Sequence, residues 1–193
     1  MSQVRFTVTL GFVGLLAIAG AAFAAKSEEK KTAGAAATQT MPADQARAAI
    51  EGRSGSTLTG TVEFSMHGGK LMVTVNVKGA PAGVHAVHIH EKGDCSSPDG
   101  MSAGGHFNPG GHQHGAPDAK EHHAGDLGNM TVWADGTGSL MIHTSDLSVA
   151  GSDNSVVGHA IIVHEKADDF VTQPTGAAGG RIGCGVIVSG SGT

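Results

Sequence analysis

Eight of the twelve histidines lie between His85 and His123, and Asp126 follows three positions later. The chain is 4% aromatic and contains no tyrosine, so these imidazoles are not substitutes in an aromatic core. Neutral imidazole is the commonest metal-binding side chain, and a histidine cluster closed by one carboxylate points to metal chemistry. The cluster has two parts: a strand-like run HAVHIH (His85 to His90), then the stretch GGHFNPGGHQHG followed by EHHAGD. His164, in IIVHEKADD, lies much further along.

Side chains alternate faces along a strand. His88 and His90 therefore share one face and are spaced to chelate a single ion, whereas His85 points with Val87 and Ile89 and reads as a buried structural histidine. The same parity in Ala160 to His164 sets His164 opposite Ile161 and Val163. If the two strands are neighbours, His164 completes a histidine-rich site suited to Cu(II) or Zn(II). The later stretch offers His106, His112, His114, His122, His123 and Asp126. Three histidines with one aspartate make a closed zinc set. Spacing alone does not choose between His112 and His114, or between His122 and His123.

The elements that must carry these residues read as β-strands. Leu71, Val73, Val75 and Val77 alternate with Met72, Thr74 and Asn76, a period of two. Thr59 to Phe64 forms a second run, joined to the first by a turn at His67-Gly68-Gly69. Asn129 to Trp133 and Gly138 to His143 flank Ala134-Asp135-Gly136-Thr137, a hairpin signal. Val157 to His164 and Ile182 to Val188 complete the set. With 31 glycines and no sustained helical period, the pattern predicts an all-β sandwich or barrel. Two stretches, about 91 to 128 and 165 to 180, lack strand patterning. Loops of that length inside a compact domain are usually functional.

The N-terminus reads as an export signal over residues 1–24: Arg5, an apolar run from Phe6 to Gly20, and a small-x-small site at Ala22-Phe23-Ala24. Cleavage there removes one arginine and no acid, taking the formal charge from −5 to −6. Residues 25–46 are charged and then Ala/Thr/Gln/Pro-rich, without apolar periodicity, and read as a flexible linker. Residues 47–193 form one domain. No stable membrane association is expected after signal cleavage. The absence of a basic stripe or aromatic platform argues against a nucleic-acid partner. In an exported chain the two cysteines, Cys95 and Cys184, most simply form one disulfide, worth about 4–5 kcal/mol on the chain-entropy estimate.

The fragments HAVHIHEKGDC, GGHFNP, HGAP, HAGDLGN, VVGHAIIVHEKADD and GGRIGCGVI closely resemble the copper/zinc superoxide dismutase family, above all its exported bacterial branch. The resemblance spans about residues 48 to 190. It implies a Greek-key antiparallel β-sandwich or flattened barrel with two long functional loops. It also resolves the open choices: His88, His90, His106 and His164 match copper ligands, and His106, His114, His123 and Asp126 match zinc ligands, with His106 shared. Asp168 matches the carboxylate that ties His88 to His114, orienting ligands from outside the coordination sphere. Cys95 and Cys184 match the disulfide that pins the metal loop to the sheet. Arg181 matches the arginine that draws in the anionic substrate, and His106 and Arg181 are the catalytic candidates. His67, His112, His122, His143 and His159 match no ligand position and read as exposed or structural.

The implied activity is periplasmic or otherwise exported dismutation of superoxide anion to dioxygen and hydrogen peroxide. Copper would cycle between Cu(II) and Cu(I), while zinc would hold His106. A local positive field at Arg181 would offset the net negative charge. One departure from the family stands out: the run between His164 and Arg181 is short, and its QPTGAAGG carries no charge. Lys92, Lys120 and Lys166 are the remaining candidates for steering, each equally readable as a solvated lysine. The rival reading is a non-catalytic copper/zinc-binding protein. Monomer and homodimer both remain open, and Trp133 reads equally as a core or a subunit-contact residue.

Overall fold

Alternation of apolar side chains builds every long strand of this chain. The computed structural model describes residues 43–190; the signal-like stretch and most of the linker lie outside them. The strands are β1 (Gln45–Gly52), β2 (Thr59–His67), β3 (Lys70–Lys78), β4 (Gly83–His90), β5 (Asp126–Val132), β6 (Gly138–Thr144), β7 (Ala160–His164), β8 (Arg181–Val186) and the short β9 (Val188–Ser189). A single 3-10 turn, Met101–Ala103, is the one helical element among the described residues.

All strands pair antiparallel in the order β2-β3-β6-β5-β4-β7-β8-β1-β9, and β1 also pairs with β2. That last pairing closes the sheet into an eight-stranded barrel with β9 as an extra strand on β1. The chain crosses from β3 to β4 and from β6 to β7 without pairing those neighbours, giving the Greek-key order. Closure removes the free sheet edges that would otherwise invite pairing with other chains.

The interior holds Ile50, Val62, Phe64, Leu71, Val73, Val75, Val87, Ile89, Met130, Ile161 and Val163, all at most 2% exposed. Burial of each large apolar side chain stabilises the fold by about 1.5–3 kcal/mol. On β3 the expected inward set, Leu71, Val73, Val75 and Val77, is the buried set.

Several boundaries differ from the sequence reading, each for a local reason. β1 begins at Gln45, two residues inside the stretch read as linker. Its inward residues at the start are Ala46 and Ala48, too small to register as a hydrophobic period. Residues 157–159 turn rather than extend, and β7 starts at Ala160. β5 starts at Asp126, so the first long loop ends at residue 125 and the aspartate sits on a strand end. Trp133 is 64% exposed and takes no part in the core. Among the described residues, no helix is long and apolar enough to cross a membrane.

Candidate metal centre

β4 and β7 are neighbours, with Val87 opposite Val163 and His90 opposite Ala160. Val87, Ile89, Ile161 and Val163 face the barrel interior. His88, His90 and His164 therefore share the outer face, where the long loops cover them to 3% exposure or less. His85, on the inner side, is buried; its Nδ1 pairs with the His164 carbonyl at 2.8 Å and its Nε2 with the Pro81 carbonyl at 2.9 Å. It is the structural histidine that parity predicts, and it orients the backbone of His164.

The first long loop folds back onto the end of β4. The Phe107 amide donates to the Ile89 carbonyl (2.8 Å), the Ile89 amide to Gly125 (2.9 Å) and the Gly125 amide to Phe107 (2.9 Å). Gly125 is required there, because a Cβ would lie 2.3 Å from the Ile89 oxygen. This return brings His106 opposite His90 and completes two four-residue groups. His88, His90, His106 and His164 form one; His106, His114, His123 and Asp126 form the other. In each group the candidate donor atoms lie within 4.8 Å of one another.

His106 joins the two. Its Nδ1 faces the second group, 2.8 Å from Asp126 Oδ1 and 3.3 Å from His123 Nδ1. Its Nε2 is buried without a hydrogen-bond partner among the described residues, as is His88 Nδ1. His114 Nδ1 lies 3.0 Å from Asp126 Oδ2 but out of line for a hydrogen bond. His90 Nε2 and His164 Nε2 face each other at 3.4 Å.

Unpartnered buried nitrogens are costly unless something else satisfies them. Two nitrogens bound tetrahedrally at roughly 2.0–2.1 Å from one ion stand about 3.3–3.4 Å apart, which matches both close nitrogen pairs. The residues therefore fit metal ions at both groups.

The ligand set is oriented from behind. Asp168 is 3% exposed and bridges the groups, Oδ2 to His88 Nε2 at 2.8 Å and Oδ1 to His114 Nε2 at 2.9 Å. That frees the Nδ1 atoms of both rings for metal. His90 Nδ1 pairs with the Gly104 carbonyl at 2.9 Å. Arg181 donates to the same carbonyl through Nη2 (2.6 Å) and to Gly100 through Nη1 (2.8 Å), so its cation is pinned beside the first group. The Cys95–Cys184 disulfide ties this Gly100–Gly104 segment to β8.

Burial favours the neutral form of His88, His90, His123 and His164. His88 and His90 lie well below the ordinary 6.5, first from loss of solvent and then from the neighbouring His106. His164 is pushed down to about 3 by the same two causes, and His123 is lowered chiefly by burial. Burial would raise the Asp126 carboxyl, but hydrogen bonds from the His106 ring and the His123 amide outweigh it and hold it far below the usual range. The Arg181 guanidinium is lowered by burial and partly restored by Asp99. His88, His90, His123 and His164 are thus biased toward neutral imidazole and Asp126 toward carboxylate, the protonation states that metal binding needs.

A stability prediction follows for the metal-free protein. Unfolded histidines take up protons near 6.5, whereas folded His164 does so only near 3. Between those values the unfolded chain binds more protons, so stability falls as pH falls. The Tm of the metal-free protein should drop by about 5 °C or more between pH 7 and pH 5. A level Tm across that range would contradict the buried neutral state.

The remaining histidines behave differently. His112 pairs with Glu121 (2.9 Å) and His122 with Asp146 (3.2 Å) near the surface. His67 and His143 are exposed, and His159 packs on Phe107 and pairs with the Glu91 carbonyl. Lys92 lies 3.9 Å from Glu91, while Lys120 lines a surface cavity with Asp146. Three contributors had no sequence signal. The Asn129 and Gln173 carboxamides hold backbone, and Arg53 donates to the Cys95 carbonyl through Nε (3.1 Å) and Nη2 (2.9 Å). A polar residue whose partner is distant backbone leaves no spacing pattern.

Fold and site together define a Greek-key barrel with two metal-capable groups sharing one histidine on its outer wall. The copper/zinc superoxide dismutase (SODC) family model matches residues 58–187, and the chain belongs to that family. Among solved structures it is similar to one described as "Crystal Structure Analysis of the clock protein EA4". That similarity has 35% sequence identity and a TM-score of 0.69, and covers 77% of this chain and 96% of the other.

Proposed function

We propose that this protein is a superoxide dismutase, with copper held by His88, His90, His106 and His164 and zinc by His106, His114, His123 and Asp126. The observation that carries this reading is His106, whose Nδ1 faces one donor group while its buried Nε2 is left without a protein partner toward the other. The four-imidazole group suits a redox-active copper ion, and the three-histidine, one-aspartate group a closed zinc site.

Copper held by His88, His90, His106 and His164 would supply one-electron exchange between two superoxide anions, which with two protons yield dioxygen and hydrogen peroxide; zinc held by the second group would supply a fixed charge. The protein's own residues do the rest. His106 Nε2 is the ring atom facing the first group and is placed to carry a proton to the reduced oxygen. Asp126 and the second group hold His106 Nδ1, so the ring keeps its position when Nε2 is protonated. Arg181, pinned by two carbonyls, presents a fixed cation that attracts and orients an anion despite the net negative charge. Asp168 keeps His88 and His114 turned to their respective groups.

The disulfide fits an oxidising environment. Together with the signal-like N-terminus, it supports an exported, periplasmic-type location. The rival reading, a non-catalytic copper/zinc-binding protein, is favoured by one fact: a protein of this fold at 35% identity is described by a clock role.

Dismutation by protein loaded with measured copper and zinc separates the two readings. Fast, copper-dependent turnover is expected; full occupancy without turnover would leave only the binding role. Arg181→Ala should lower kcat/KM by roughly 10- to 100-fold and flatten its dependence on ionic strength, with both ions still bound. Loss of metal in that variant would reassign Arg181 to a structural role.

A further inference from the structure

The Asp168 bridge is gripped at both ends by carboxamides. On β5, Asn129 takes the backbone of Asp168: its Oδ1 accepts from the Asp168 amide (2.8 Å) and its Nδ2 donates to the Asp168 carbonyl (2.9 Å). Gln173 makes the equivalent pair with His114, 59 residues away: Oε1 accepts from the His114 amide (2.9 Å) and Nε2 donates to the His114 carbonyl (2.8 Å). Each carboxamide thus satisfies one donor and one acceptor of a single residue, which fixes position and rotation together. The Gln173 grip joins the two long loops directly, because His114 lies in the first and Gln173 in the second.

The same turn closes tightly on the bridge. The Phe170 amide donates to Asp168 Oδ1 at 2.7 Å, and the Gly176 amide donates to the Thr172 carbonyl at 2.7 Å. Gly176 has φ +66°, and a Cβ there would lie 1.9 Å from Asp168 Oδ1 and 2.6 Å from His114 Nε2. Only a residue without a side chain fits against this hydrogen bond. Gln173 itself is exposed, while His114, Asp168 and Gly176 are buried. Water can therefore replace the Gln173 bonds at little cost to folding, but water does not hold the His114 segment in register with Asp168.

We propose that Gln173 is a positioning residue: it locks the loop between His164 and Arg181 onto the His114 segment and so sets how firmly the second donor group retains its ion. This rests on the metal reading above. The clamp acts on a partner of a ligand, and such changes typically alter metal affinity about 10- to 100-fold. Gln173 works through backbone and should fall at the lower end. Gly176→Ala, which displaces the Asp168 carboxylate directly, should fall at the upper end.

The test uses the full chain loaded with zinc alone, or with cobalt(II) as a spectroscopic substitute, as wild type, Gln173→Ala, Gln173→Glu and Gly176→Ala. Release of zinc to an excess of a chromophoric chelator is timed, the visible cobalt spectrum is recorded, and the Tm of each metal-free form is measured. The expected result is release about 10-fold faster in Gln173→Ala with a changed cobalt spectrum and a metal-free Tm within about 2 °C of wild type. Gln173→Glu keeps the acceptor and loses the donor, and should lie between. Release and spectra unchanged in both Gln173 variants would overturn the proposal, as would faster release matched by an equal loss of metal-free stability. A wild-type chain that retains no zinc would overturn the metal reading and this proposal with it.

Discussion

His106→Ala is expected to lower dismutase activity by at least about 100-fold and to weaken retention of both ions, a larger effect than any other single substitution. Partners that only orient a ligand alter metal affinity or activity by about 10- to 100-fold, and His106 is the one residue common to both donor groups. Its ring stands 4.1 Å, centroid to centroid, from His88 and 5.3 Å from His123, so neither neighbour fills its place without moving. The metal-free fold should tolerate the change far better than the metal-bound one. The substitution removes a buried nitrogen with no partner, and it removes a charge neighbour that lowers His88, His90 and His164. Metal content by elemental analysis, activity per copper and metal-free Tm separate these effects. A variant that keeps both ions and more than a tenth of the activity would remove His106 from the proposed mechanism.

Loss of the disulfide should be the largest single effect on stability. Cys95 and Cys184 are 89 positions apart, and the chain-entropy estimate for such a loop is about 4–5 kcal/mol. At about 2–4 °C per kcal/mol, Cys95→Ser with Cys184→Ser should lower Tm by roughly 10–20 °C. Some order should survive, since Arg53 still holds the Cys95 carbonyl and the Ser54 amide still donates to the Pro98 carbonyl at 2.8 Å. Activity should fall as well, because Gly100 and Gly104, whose carbonyls pin Arg181, sit in the segment released. Thermal unfolding of the double variant, beside wild type with and without reductant, checks both parts. An unchanged Tm would mean that Arg53 and the small cluster of Ala103, Ala160, Ile162 and Cys184 hold the loop unaided.

The two predictions differ in how far the sequence supports them. The cysteine pairing needed only an even count and an N-terminus that reads as an export signal, and the structure adds what the bond restrains. The inner and outer faces of β3, β4 and β7 were legible because side chains alternate with a period of two. The hairpin between β5 and β6 was legible because Asp135 and Gly136 suit its tight turn. β1 was not legible, since Ala46 and Ala48 bury too little surface to stand out, and the end of the first loop was placed three residues late because Asp126 resembles a loop residue.

Which histidines can share an ion was legible in part. His88 with His90 follows from strand parity alone. The choices of His114 over His112 and His123 over His122 came from resemblance, because neighbouring loop positions carry no periodic constraint. The structure separates them physically: His114 and His123 are turned inward against Asp126, while His112 and His122 reach outward to Glu121 and Asp146.

By itself the sequence determined what local rules control: strand periodicity, turn chemistry, the ligand types and the even cysteine pair. Only the tertiary structure decided what depends on loops meeting at a distance. The return of Phe107 and Gly125 onto Ile89 sets His106 between two donor groups, Asp168 spans His88 and His114, and Gln173 fastens one loop to the other. Those contacts join residues dozens of positions apart through backbone atoms that every residue possesses, so no pattern of side-chain types announces them.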